Sequence, residues 1–258
     1  MNKRDIIADL LRRKFFVVLF VILIISFFSW YYIFGLSLSM DIAGNMMQND
    51  SLFNFPALIS AALMWSVMMI AMMLPSAIPM ILVFSSVNQK RNREGRQFVP
   101  TWIFLGGYLL IWSAFGIFAA FIQLLLQNAM ILSDELKLLN PYISGAVLVA
   151  AGIYQFVHVK NVCLSNCQSP LSFTMNNWRD GVKGAIIMGI QHGLYCLGCC
   201  WVLMAILFVG GIMNLWLILA IASFILLEKI VPYRKLVSRA GGALLILSGS
   251  LYMLRLVI

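Results

Sequence analysis

The fold this sequence predicts is all-α: a polytopic transmembrane helix bundle of about seven helices, with the N-terminus inside and the C-terminus outside. Three observations carry that expectation. The 258 residues are 62% hydrophobic and only 10% charged, whereas a soluble domain carries roughly 25% charged residues. Apolar stretches recur at about 20 residues, the length an α-helix needs to cross the hydrocarbon core. The basic residues, finally, are sorted between alternate loops.

The first apolar stretch covers 15–36, and Lys3, Arg4, Arg12, Arg13 and Lys14 precede it in a basic cytoplasmic segment, 1–14. It exceeds the roughly 7–15 residues of a signal h-region and no clear A-x-A site follows, which predicts an uncleaved anchor. An outer polar segment at roughly 37–56 leads to the second stretch, 57–84, with Lys90, Arg91, Arg93 and Arg96 behind it. The third, 101–127, precedes a loop whose single basic residue is Lys137. The fourth, 142–159, is followed by a polar inner segment, 160–183, bearing Lys160, Arg179 and Lys183. The fifth, 184–209, and sixth, 212–231, are divided by a short Gly210-Gly211 turn; Lys229, Arg234, Lys235 and Arg239 close the sixth, and 240–257 forms the seventh. All basic residues except Lys137 and Arg255 thus fall on one side, which the positive-inside rule makes cytoplasmic. The net charge of +9 is therefore a topology signal and not a nucleic-acid footprint, and 1–258 reads as one integral membrane domain in contact with the lipid bilayer.

Soft-ligand side chains sit inside these stretches. The run from Met64 to Met73 holds five methionines in ten residues, and the fifth stretch contains Gln191-His192-Gly193-Leu194-Tyr195-Cys196-Leu197-Gly198-Cys199-Cys200-Trp201. Thiolate and thioether select soft ions such as Cu(I), and imidazole suits copper and zinc. Met64, Met68 and Met72 follow steps of four and share a helix face, with Met69 and Met73 beside them. Met188, His192, Cys196 and either Cys199 or Cys200 share a face of the fifth helix. At 1.5 Å per residue His192 lies about 12 Å in and the three cysteines about 18–24 Å in, a depth matching the methionines. Gly189 and Gly193 are spaced as G-x-x-x-G, a pattern that admits a close helix neighbour. Pro75 and Pro79 interrupt the second helix below its methionines and free backbone carbonyls.

Packing is the competing explanation for each residue type alone, since methionine and free cysteine both fill apolar cores well. Three cysteines in five residues with a histidine four positions earlier go beyond packing. Cys163 and Cys167, spaced C-x-x-x-C in the inner segment, form a second thiol pair, too few with His158 for a structural zinc but enough for low-coordinate Cu(I). If that segment stays cytoplasmic, the two thiol groups differ in depth by about 20 Å. Glu228 beside Lys229 reads as a snorkelling interfacial pair, and Gln123, Gln127 and Gln155 as interhelical hydrogen-bonders. Walker loops, G-x-S-x-G and H-E-x-x-H are absent, and a non-enzymatic role is the readier expectation.

Several of these segments resemble a known group. They are Met64–Ala77, Tyr154-Gln155, Cys163-Leu164, Cys167-Gln168-Ser169-Pro170, Trp178-Arg179-Asp180-Gly181, Gly193–Trp201, Met213-Asn214 and Glu228-Lys229. Together, over about 55–235, they look like the bacterial family of predicted metal-binding integral membrane proteins, domain of unknown function 2182. The resemblance implies metal binding and a bacterial inner-membrane location. Gln168 departs from the basic residue expected beside the second loop cysteine.

The expectation that follows is a Cu(I)-binding membrane protein acting in metal transport, delivery or tolerance. Its ligands would be Cys196, Cys199, Cys200, His192, Met68, Met69 and Met72, with Cys163 and Cys167 accepting or releasing the ion. Copper is the expected metal, with zinc or no metal as alternatives, and a metallochaperone or another membrane subunit the expected partner. The second reading is a membrane thiol–disulfide oxidoreductase using Cys196/Cys199 and Cys163/Cys167. A subunit of a copper oxidase ranks below both, because such sites are richer in histidine than a chain with two.

Overall fold

In the computed structural model, residues 3–43, 55–133 and 135–254 are described, with side chains from residue 16 onward except 39–43. The charged side chains of 1–14, most of the 37–56 segment, and Arg255 lie outside that set. The described residues form nine helices: α1 (Lys3–Ala43), α2 (Phe55–Arg93), α3 (Thr101–Asn128), α4 (Pro141–Tyr154), α5 (His158–Gln168), α6 (Pro170–Asn176), α7 (Gly181–Gly210), α8 (Leu215–Ile230) and α9 (Arg234–Leu254). Each of the seven apolar segments contains a helix. Five helices (α1, α2, α3, α7 and α9) are long and apolar enough to cross a membrane, and α4 with α5 makes a sixth candidate if their 63° bend is one broken span.

The centre is α2, whose buried face runs from Ala61 to Asn88. It stays one continuous helix through Pro75 and Pro79. α1 lies along it and turns Phe20, Phe27, Phe28 and Tyr31 outward, the apolar exterior expected of a helix facing lipid. On its other side Trp65 donates its indole N–H to Gln123 of α3 at 2.7 Å, which satisfies two polar groups that would otherwise be buried unpaired.

α3 and α7 touch backbone to backbone. A Cβ on Gly107 would stand 2.5 Å from the Ile186 carbonyl oxygen, and one on Gly189 would collide with that of Phe104. α3 is therefore the neighbour that the Gly189/Gly193 spacing admits, and Gly193 packs against Ile111 of the same helix. A second pair of this kind joins α4 to α9. Gly145 faces the Gly249 carbonyl and Gly152 that of Gly242, each within 3 Å of where a Cβ would be. The same spacing of seven on both helices lets them pack along two turns.

α4 is capped by Asn140, whose Oδ1 accepts from the Tyr142 and Ile143 amides at 2.9 and 3.4 Å, with Pro141 in the first turn where its missing N–H costs nothing. It ends at Tyr154, five residues short of the predicted span. The chain then bends into α5 and α6, which pack on α7 and α2. The segment predicted as a polar cytoplasmic loop is thus two helices folded back into the bundle. The reason lies at Lys160: it is completely buried and its ammonium meets both Glu228 carboxylate oxygens, at 2.6 and 2.9 Å. Leu164, Cys167 and Phe173 extend the buried face of the two helices.

Glu228 is accordingly not a snorkelling partner of Lys229; its carboxylate belongs to Lys160, and Lys229 turns elsewhere. Neither Lys160 nor Lys229 marks a membrane face. Gln168 explains its own departure from a basic residue: its amide donates to the Glu228 carbonyl at 2.5 Å and accepts from Arg234 at 2.9 Å, where another cation would be repelled. Gly211, at φ 96°, makes the reversal between α7 and α8, a conformation glycine adopts without a Cβ penalty. At the basic end Asp180 accepts from Arg91 at 2.9 Å and from the Trp178 indole at 2.8 Å. These two donors, the indole first, hold its carboxyl below the usual carboxylate range. The tie is therefore complete above the ordinary carboxylate value and is lost as pH falls through the lowered one.

Removing one member of the Lys160–Glu228 pair should cost about 3–5 kcal/mol, because the other is left buried and alone. Glu228→Gln is expected to lower the thermal midpoint in detergent sharply, whereas Lys160→Met with Glu228→Leu should restore most of it. Equal losses in the single and double variants would contradict the pairing.

Candidate metal centre

Three thiols on α7 converge because two of them turn back on one carbonyl. Cys199 and Cys200 each donate S–H to the backbone oxygen of Cys196, both at 3.0 Å, one from the i+3 and one from the i+4 position. Both therefore share the site with Cys196, where the helical repeat alone allowed only one to do so fully. All three are buried. α5 brings a fourth: Cys167, also buried, is a close neighbour of Cys196 and Cys199. The two thiol groups, expected to stand apart in depth, form one cluster.

α2 and α3 close it. The Cys200 thiol approaches the Met73 thioether at 3.9 Å. Tyr108 of α3, fully buried, donates its hydroxyl to the Met73 carbonyl at 3.1 Å and touches the Cys196 sulfur at 3.2 Å. From the end of α8, Lys229 places its ammonium 2.9 Å from the Cys196 sulfur and 2.7 Å from the Ser76 hydroxyl oxygen. Ser76 in turn donates to the Met73 carbonyl at 2.8 Å. The turn Met73–Ser76, just where Pro75 enters α2, is thus where four helices meet.

Of the other predicted ligands, Met68, Met69 and Met72 are buried in α2; Met69 lies one turn before Met73 and continues its face. His192 is buried one turn before Cys196, between the rings of Tyr108 (centroids 5.3 Å apart), Phe173 (5.7 Å) and Phe104 (6.2 Å). Neither of its ring nitrogens has a hydrogen-bond partner, an uncommon state for a buried polar group. Cys163 is half-buried, and its sulfur fills the space a Cβ on Gly198 would need, 2.8 Å away. Tyr154 braces the same point by donating its hydroxyl to the Gly198 carbonyl, and itself accepts from the Trp201 indole at 3.2 Å.

Four residues at the centre escaped sequence reasoning: Lys229, Tyr108, Ser76 and Met73 as a contact of Cys200. Lys229 carried a signal, a lysine at the end of an apolar helix, but Glu228 beside it masked the true partner. Among the described residues, no three His, Cys, Asp or Glu side chains already converge in a metal-holding arrangement. Cys199 and Cys200 are turned to the Cys196 carbonyl, so an ion would have to draw the sulfurs together by side-chain rotation. The donor set suits a soft ion: four thiols and a thioether, and no carboxylate.

The described residues thus make an all-α helical bundle with buried thiols near its centre. A family model described as "PpoB2: Copper chaperone" matches residues 62–252, from α2 through α9, and the chain belongs to that family. Its function is accordingly copper-related. No curated protein and no solved structure matches the chain.

The cluster makes a simple statement about access. In native detergent-solubilised protein a maleimide should modify Cys163 readily and the four buried cysteines only after denaturation. Mass spectrometry of the labelled chain reads this directly, and modification of Cys196 at the rate of Cys163 would contradict the packing.

Proposed function

We propose that this chain is a membrane-embedded copper chaperone that holds Cu(I) in the sulfur cluster and passes it to a protein partner by ligand exchange. The observation that carries the reading is the convergence on Cys196: the Cys167, Cys199 and Cys200 thiols adjoin it, and the Met73 thioether adjoins Cys200. Thiolate and thioether are the ligands Cu(I) prefers, and a donor set of several weakly organised sulfurs lets an ion be taken up and surrendered one bond at a time. Cys163, half-buried at the rim beside Gly198, is the exchange ligand closest to the surface. His192, unpartnered one turn along α7, is a nitrogen donor next to the sulfurs, and Met69 continues the thioether face.

The family's copper chaperone description supports the choice of metal. Five long apolar helices support a multi-pass membrane location, the bacterial inner membrane in our reading. Lys90, Arg91, Arg93, Arg96, Arg179, Lys183, Arg234, Lys235 and Arg239 fall in alternate segments between the apolar stretches of the sequence, and the side they share would be cytoplasmic. Thiol–disulfide exchange is the weaker reading. Cys196 and Cys199 lie in the middle of a 30-residue helix, whereas reactive C-x-x-C pairs use a helix N-terminus to favour the thiolate.

Protein purified reduced and loaded with Cu(I) should retain about one copper per chain, and Cys196→Ser/Cys199→Ser/Cys200→Ser should retain at least roughly tenfold less under the same competing chelator. Elemental analysis of both decides the matter. Equal copper in the two would overturn the site, and none in either would overturn the function.

A further inference from the structure

We propose that Lys229 sets the charge selectivity of the cluster: its ammonium, fixed against Cys196 and Ser76, makes the site favour a monovalent over a divalent ion. The inference rests on the proposed copper site and specifies what that site admits. Three observations lead to it. The ammonium stands 2.9 Å from the Cys196 sulfur, inside the region an ion bound by that sulfur would share. It is held there by a second, independent contact, the Ser76 hydroxyl oxygen at 2.7 Å, on a residue anchored to the Met73 carbonyl. And it has no carboxylate to retreat to: both oxygens of the adjacent Glu228 are engaged by Lys160, and among the described residues no other acid forms a salt bridge with Lys229.

A fixed positive charge beside a bound cation repels it in proportion to that cation's charge. The penalty for a divalent ion is therefore twice that for a monovalent one at the same position, and it grows as the surroundings become less polarisable. Thiols alone do not exclude the divalent ion, because cysteine is a ligand for Zn(II) as well as for Cu(I). The buried Lys160–Glu228 pair gives the arrangement its rigidity: it locks the last turn of α8, and with it the base of the Lys229 side chain. A histidine- or carboxylate-lined site would have no such bias against the divalent ion.

The test is a competition on the full-length, reduced protein in detergent, equilibrated with equal Cu(I) and Zn(II) in matched chelator buffers. Bound metals are then counted in wild type, Lys229→Met and Lys229→Arg. Lys229→Met should raise the bound zinc-to-copper ratio by roughly tenfold or more, as expected when a unit charge a few ångströms from the ion is lost, while Lys229→Arg keeps the wild-type ratio. Lys229→Gln, which retains a donor for Ser76, carries the same expectation and serves if the methionine variant fails to fold. A ratio unchanged in the neutral variants, with copper still bound, overturns this inference and leaves the copper site standing. Wild-type protein that binds no copper overturns both.

Discussion

Lys160 and Glu228 meet inside an apolar bundle, 68 residues apart in the chain, and the placement of the central segments follows from that contact. A charge without a partner in such surroundings is costly enough that chain topology yields to it. The polar stretch after α4 therefore does not run along the surface. It bends by 63° and re-enters as α5, which carries Lys160 to Glu228 and, on the same helix, Cys163 and Cys167 to α7. α8 has only 16 residues, about 24 Å at 1.5 Å per residue, and α5 packs against its C-terminal part.

That pairing also decides what Lys229 does. With Glu228 committed, the neighbouring ammonium turns to the Cys196 sulfur and the Ser76 hydroxyl. Structure and chemistry are coupled here in two consecutive residues: Glu228 assembles the scaffold and Lys229 enters the sulfur cluster. The cluster is correspondingly a joint product of five helices, α8 contributing Lys229. α7 supplies three thiols, α5 a fourth, α2 a thioether and a serine, α3 the Tyr108 hydroxyl. Small residues make the convergence feasible. Gly107 and Gly189 bring α3 against α7 closely enough for Tyr108 to reach Cys196, and Gly198 leaves room for Cys163.

Much of this was legible in the sequence, in a specific sense. Features set by one helix and its own periodicity could be read directly: the seven apolar segments, the shared face of His192 and Cys196, the close approach implied by Gly189 and Gly193, the reversal at Gly210-Gly211. Gln123 and Gln155 do make interhelical bonds, to Trp65 and Ser238. Features set by pairs distant in the chain could not be read. Residues 160–183 are polar by composition, and only the match of Lys160 with Glu228 turns them inward. Adjacent Glu228 and Lys229 look like partners by proximity, yet helical geometry points consecutive side chains about 100° apart. The Gly145/Gly152 and Gly242/Gly249 contacts between α4 and α9 are invisible until the two helices are known to be neighbours. The cysteine site was thus visible as residue types, while its unity, its tyrosine and its lysine emerged only from packing.

The central claim is that sulfur, gathered on Cys196 from four thiols and a methionine, is what holds the ion. X-ray absorption at the copper edge of the reduced, Cu(I)-loaded protein measures this most directly. The account predicts a first shell dominated by sulfur scatterers, reduced in the Cys196→Ser/Cys199→Ser/Cys200→Ser protein. A shell made of nitrogen and oxygen alone would contradict it.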